Sequence, residues 1–138
     1  PDTEIIHMWF TRKKAPPIRS LVGEGTVIHG NLGFAEGLRI DGEVHGNVVA
    51  NTPNSLLVIS EKARVHGEVK GGHVIINGEV LGPVHSSELL EVQPKARITG
   101  DVRYEVLEMH QGALIDGLLR PLKQADKPTL VLAASKQG

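Results

Sequence analysis

A short pattern built around glycine recurs six times along the chain, and it limits the possible folds more than any other feature of the sequence. Each copy reads small-x-apolar-x-Gly-x-apolar, and the first occupies residues 26–32. The others occupy residues 42–48, 63–69, 78–84, 96–102 and 113–119. Their glycines are Gly30, Gly46, Gly67, Gly82, Gly100 and Gly117, separated by 16, 21, 15, 18 and 17 residues. Repeats of this length without helical periodicity indicate a solenoid with one winding of about 17 residues per copy.

Apolar and polar residues alternate through these copies, which predicts strands with one buried face. Apolar-x-apolar pairs lie upstream of the later copies: Leu38/Ile40, Leu57/Ile59, Val74/Ile76, Leu90/Val92 and Leu107/Met109. Dividing a winding of about 17 residues by a typical strand of about five to six gives three faces. The sequence therefore predicts an all-β, triangular β-helix of about six windings, roughly 29 Å long at about 4.8 Å per winding.

Prolines mark the expected limits of the solenoid. Pro16-Pro17 precedes the first winding and Pro121 follows the last. We therefore expect an N-terminal arm over residues 1–19, the β-helix over residues 20–120 and a C-terminal arm over residues 121–138. Within the β-helix, the repeated glycine is expected at a corner, where it provides either a positive φ or room for the neighbouring strand.

The composition argues against several classes of function. The 15 basic and 16 acidic residues nearly cancel, and no basic block carries interleaved aromatic residues, so nucleic acid is not an expected partner. The chain has no cysteine, which excludes disulfides and thiolate metal sites. It shows neither a signal peptide nor an apolar run of 18 residues, so we expect a soluble, cytoplasmic protein. Gly23-Glu24-Gly25 lacks the Gly-Lys-Ser/Thr of a phosphate loop, and no cofactor is expected.

The repeated region resembles the bactofilins, a family of bacterial cytoskeletal proteins. The resemblance covers roughly residues 20–120 and includes LVGEGTVIHGNL at residues 21–32, IDGEVHGNV at residues 40–48 and GALIDG at residues 112–117. It implies a right-handed parallel β-helix that polymerises without nucleotide into filaments. It also implies that the filaments lie on the inner membrane and organise cell-shape or cell-wall proteins, including peptidoglycan enzymes.

The ends of such a solenoid favour self-association. The first and last windings present unpaired strand edges and an apolar cross-section, which are templates for another chain. The expected polymerisation interface lies in these windings: Leu21, Val22, Ile28, Leu107, Met109, Leu114, Ile115, Leu118 and Leu119. Leu114 and Leu118 occupy outward positions, which either a neighbouring subunit or the Leu130-Val131-Leu132 segment would cover. The resemblance associates a bulky apolar residue of the closing winding with end-to-end assembly, and Ile115 takes that position here.

The N-terminal arm carries a possible membrane signal. Two aromatic residues stand beside three positive charges in the segment Met8, Trp9, Phe10, Arg12, Lys13 and Lys14. This pairing suits the headgroup region of anionic membranes and predicts a lipid-binding anchor. Alternatively, the two aromatic side chains cover the apolar end of the first winding. Met8 also resembles a start residue, which would make residues 1–7 an upstream addition.

Three histidines precede the repeated glycine in successive windings, so we expect them to stack about 5 Å apart. This ladder of His29, His45 and His66 suggests an alternative function, a β-helix enzyme with zinc on the imidazoles. The carbonic anhydrases built on left-handed β-helices follow a six-residue repeat, whereas the steps here are 15 to 21 residues. We therefore interpret the ladder as a solvated face. His73, His85 and His110 have no evident common pattern.

The sequence thus predicts a structural protein rather than an enzyme, without catalytic, cofactor-binding or metal-binding residues. The expected function is a cytoskeletal scaffold that assembles end to end into filaments, peripheral on the inner membrane. Its expected partners are further copies of itself, membrane lipid through the N-terminal arm, and cell-shape proteins. A monomeric solenoid that binds a partner through its arms is a further alternative.

Overall fold

The computed structural model describes residues 15–123, and this part of the chain consists of fifteen β-strands and their connecting turns. The strands are β1 Ile18–Val22, β2 Val27–His29, β3 Leu32–Phe34, β4 Gly37–Ile40, β5 Glu43–His45, β6 Val48–Ala50, β7 Leu56–Ile59, β8 Arg64–His66, β9 Val69–Ile76, β10 Glu79–Leu81, β11 Val84–Val92, β12 Arg97–Thr99, β13 Val102–Met109, β14 Leu114–Asp116 and β15 Leu119–Pro121. This part of the chain winds six times, and each winding contributes one segment to each of three parallel faces.

The faces follow the chain in a fixed order. The first face contains β1, β4 and β7, followed by the C-terminal halves of β9, β11 and β13. The second contains β2, β5, β8, β10, β12 and β14 in sequence order. The third contains β3 and β6, then the N-terminal halves of β9, β11 and β13, and finally β15. The predicted parallel β-solenoid of about six windings is confirmed.

The core is a set of aliphatic columns, one for each inward position of a winding. On the second face, Val44, Val65 and Val80 are direct partners in successive strands and are fully buried. On the first face, the predicted apolar pairs occupy inward positions in the same way. Each buried valine or leucine stabilises the fold by roughly 1.5–3 kcal/mol relative to an exposed one. The apolar columns favour this register, because a shift of one residue would turn each inward side chain toward solvent.

The repeated glycine lies at the corner between the second and third faces. Both reasons expected from the sequence apply there, a positive φ and close approach of the neighbouring strand. Gly30, in the first winding, has φ of 134°, which favours glycine. At Gly67 a Cβ atom would lie only 2.2 Å from the carbonyl oxygen of Gly46 in the winding before. The first winding therefore uses the positive φ that glycine allows, and in the later windings the corner also leaves no space for a side chain.

Candidate functional site

The end formed by the first winding presents an incompletely covered core. Val22 is buried, whereas Ile28 and Leu32 point inward but remain partly exposed. Strands β1, β2 and β3 each have a hydrogen-bonded neighbour on one side only within residues 15–123. This end therefore combines open strand edges with accessible aliphatic side chains.

The end formed by the last winding has the same character. Leu107 and Met109 on β13 and Ile115 on β14 pack against the core while remaining partly exposed, and Leu119 on β15 is nearly buried. In the described part of the chain, β14 and β15 pair only with the winding before them. A second solenoid could continue the hydrogen-bond ladders here and bury the remaining apolar surface.

The partly buried aliphatic residues that pack against the core are concentrated at the two ends. The described residues of this kind are Ile28, Leu32, Ala50, Leu107, Met109 and Ile115. With the exception of Ala50, they all belong to the first or the last winding. Inward positions of the middle windings are covered from both sides, so incomplete burial is a property of the ends.

The residues predicted for polymerisation divide into two groups. Val22, Ile28, Leu107, Met109, Ile115 and Leu119 occupy inward positions of the terminal windings. Leu21, Leu114 and Leu118 point outward and are 61%, 58% and 55% exposed. Leu21 lies in the first winding, at the opposite end from the other two. The proposed membrane segment, Met8 to Lys14, and the segment 130–132 fall outside the described residues.

The histidine ladder forms as the repeat predicts. The ring centroids of His29 and His45 are 5.2 Å apart in a stacked arrangement, and those of His45 and His66 are 4.8 Å apart edge to face. Glu43 approaches the ladder, with one carboxylate oxygen 3.5 Å from Nε2 of His45. The three rings follow a partly exposed outer surface of the second face.

The third face carries a column of basic residues that the sequence analysis did not predict. Lys70, His85, Arg103 and Arg120 are direct partners in four successive windings and point outward. Partial burial lowers the pKa of His85 below its usual value of 6.5, and the charges of Lys70 and Arg103 lower it further, against the opposing effect of Glu68. The repeat does contain a signal for this column, because each of its members is the third residue after a corner glycine.

This lowered pKa predicts that His85 destabilises the fold in acid. Because the unfolded chain binds the proton more tightly, the stability from the neutral imidazole is fully present above about pH 6.5 and declines as the pH falls below it. We expect His85→Gln to raise the midpoint of thermal unfolding relative to the parent at about pH 5 more than at about pH 7.5. Circular dichroism melts of both proteins test this. If the two proteins differed in unfolding midpoint by the same amount at both pH values, the prediction would be wrong.

A second cluster that the sequence did not indicate lies on the first face. Glu91, Glu108 and His110 bring one potential metal-ligating atom each to within 4.8 Å of one another. His73 lies beside the same group, with Nε2 at 3.7 Å from Glu91. The expectation that His73 and His110 share no common pattern is therefore wrong, because the windings bring both to one carboxylate.

The family model of the bactofilins, described as polymer-forming cytoskeletal proteins, matches residues 20–120. This range contains all six glycine repeats and nearly all of the first and last windings. The chain is a member of the bactofilin family. The structural, polymer-forming character of bactofilins agrees with a solenoid whose ends are open.

Two curated bactofilins of Myxococcus xanthus (strain DK1622) are similar to the chain. BacO is 25% identical over 111 residues, which cover 80% of this chain and 86% of BacO. BacP is 28% identical over 98 residues, which cover 71% of this chain and 40% of BacP, so the chain spans less than half of that bactofilin. No solved structure gives a significant match. Within residues 15–123 there is no helix with the length and apolar character needed to cross a bilayer.

Proposed function

We propose that this bactofilin polymerises end to end through the cross-sections of its first and last windings. The observation that supports the proposal most strongly is the partial exposure of inward aliphatic residues at both ends, next to strands that pair on one side only. Docking a second copy would complete the hydrogen bonds of these edge strands. It would also remove apolar surface from water at about 25 cal/mol per Å².

The polymer would form without nucleotide. Gly23 and Gly25, the glycines nearest a phosphate-loop pattern, belong to a turn in which the amide of Thr26 donates to the carbonyl of Gly23 over 3.0 Å. The solenoid is held by its own ladders and aliphatic columns, and assembly continues the same interactions. Electron microscopy of the purified full chain without nucleotide tests this proposal.

The filament would lie on the inner face of the bacterial membrane. The aromatic and basic residues of the N-terminal arm supply a short interfacial anchor, and one such segment binds weakly by itself. Polymerisation multiplies the anchors and raises their combined affinity. The outward column of Lys70, Arg103 and Arg120 adds attraction to anionic lipid, worth about 1 kcal/mol for each basic residue near the surface. From this position the filament would organise cell-shape or cell-wall proteins.

Deleting residues 1–14 is expected to abolish sedimentation with anionic liposomes while filaments persist, because the segment lies outside the repeat. In the full chain, the emission of Trp9, which is the single tryptophan, should shift to the blue when lipid is added. A matched variant with Arg12, Lys13 and Lys14 changed to glutamine keeps the aromatic residues and should bind lipid more weakly. Loss of filaments on deletion would instead assign the arm a role in assembly, and unchanged Trp9 emission would reject the anchor.

A further inference from the structure

Two glutamates and two histidines converge on the first face near the closing end of the solenoid. Glu91 on β11 and Glu108 on β13 are direct partners in adjacent windings. His110 follows β13 at the next corner, and His73 lies on β9, one winding before Glu91. The cluster therefore links the last three windings through side chains rather than through the backbone ladder.

The spacing of three of these groups is close to that of metal ligands, since their ligand atoms all lie within 4.8 Å of one another. Nε2 of His110 is 3.4 Å from Oε2 of Glu108 and 3.9 Å from Oε2 of Glu91. Tetrahedral zinc with bonds of about 2.0–2.2 Å holds its ligand atoms roughly 3.3–3.6 Å apart. The 3.4 Å contact already has this separation, and the 3.9 Å contact reaches it through a shift of a few tenths of an ångström.

The charges of the cluster also favour a bound cation. Glu91 and Glu108 stand side by side on neighbouring strands, where like charges are destabilising. The side chain of Glu91 is only 22% exposed, so water screens this repulsion incompletely. Nε2 of His73 and Nε2 of His110 are both shielded from solvent, and neither has a hydrogen-bond partner. An unsatisfied, solvent-shielded polar atom of this kind destabilises the fold.

We propose that Glu91, Glu108 and His110 bind a first-row divalent transition-metal ion of the Zn²⁺ class. One imidazole nitrogen and two carboxylate oxygens suit such an ion, and three protein ligands leave a coordination position for water. The metal neutralises the paired carboxylates and gives the buried Nε2 of His110 a partner. Soft metals that require thiolates are excluded, since the chain has no cysteine.

Gln93 acts as a positioning residue for Glu91. Its side-chain amide donates to Oε2 of the carboxylate over 3.4 Å. Nε2 of His73 lies 3.7 Å from Oε1, the other oxygen of the same carboxylate, and makes no hydrogen bond to it. Partners of this type orient a ligating carboxylate, and their removal commonly weakens metal binding about 10- to 100-fold.

The bound metal would join the last two windings at the closing end. Glu108 lies between Leu107 and Met109 on β13, and both of these side chains belong to the open cross-section. Metal binding therefore stabilises the strand that presents them. The site itself depends only on the fold, so its occupancy is measured independently of polymerisation.

Zinc titration of the full chain tests the site. The chelator-treated protein is titrated with zinc chloride by calorimetry, and its thermal unfolding is followed with and without zinc. We expect one zinc per chain and a higher unfolding temperature with zinc. Glu91→Gln and His110→Gln should each abolish saturable binding, whereas Gln93→Ala should weaken it about 10- to 100-fold. Circular dichroism shows whether each variant remains folded.

The double variant His29→Gln/His45→Gln is the matched control. It removes two imidazoles from the ladder on the second face and should bind zinc as the parent does. Absence of saturable binding by the parent would overturn the proposal. Binding that survives Glu91→Gln, or that is lost in the ladder variant, would overturn it as well.

Discussion

Val65→Asp is expected to unfold the solenoid at temperatures where the parent is stable. Val65 has no exposed surface and stands in the middle of the second face, between its partners Val44 and Val80. An uncompensated buried carboxylate costs about 3–5 kcal/mol. Proteins of this size are stable by only about 5–15 kcal/mol, so the midpoint of thermal unfolding should fall by at least about 12 °C. Circular dichroism in the β-sheet region measures the change.

Arg64→Gln provides the control for Val65→Asp. The adjacent side chain of Arg64 is 60% exposed and makes only a loose ion pair with Glu79, at 3.6 Å. Its removal should change stability by no more than about 0.5 kcal/mol. If Val65→Asp melted like Arg64→Gln, the assignment of inward and outward positions on the second face would be wrong.

Ile115→Arg is expected to abolish filament formation without unfolding the subunit. Ile115 on β14 is in register with the buried Ile98, but no described strand covers its other side. In the free subunit, the guanidinium reaches water at the exposed end. Docking of a second copy would bury this charge without a partner, at about 3–5 kcal/mol. Each 1.4 kcal/mol changes an association constant about tenfold, so the critical concentration should rise about 100-fold or more.

Leu81→Arg makes the same chemical change in the middle of the solenoid. Leu81 on β10 points outward and is 40% exposed, so the added charge remains in water before and after end-to-end assembly. This variant should form filaments at the parental concentration, as judged by sedimentation. Equal loss of polymer in both variants would indicate lateral association through the second face instead.

The sequence predicts most of the fold because each winding uses the same few positions. The corner glycine, the inward valine or isoleucine before it and the apolar-x-apolar pair recur with little variation, and parallel stacking follows from them. The first winding is the exception. Ser20 stands where later windings have Leu38 and its successors, so the pair that would have marked β1 is incomplete. Nevertheless, β1 forms and pairs with β4 through backbone hydrogen bonds.

The clusters between windings were harder to predict, since they depend on register. Glu91 and Glu108 each occupy the middle of an apolar-x-apolar pair, so their proximity is readable from the repeat. The approach of His110 to these carboxylates is not readable from the repeat, because His110 lies in a turn whose conformation the pattern does not define. His73 directly precedes the Val74/Ile76 pair and is the register partner of Leu89, so its place beside Glu91 does follow from the repeat. The turn that holds His110 has no period and therefore leaves no signal in the repeat.

The subunit repeat along the filament, measured by cryo-electron microscopy of the full chain without nucleotide, tests end-to-end assembly most directly. Six windings stacked at about 4.8 Å predict a subunit length of about 29 Å, with strands perpendicular to the filament axis. The side chains of Ile115 and Ile28 should lie at the junctions between subunits. Filaments whose solenoid axes run across the filament axis, or a protein that remains monomeric at all concentrations, would contradict the account.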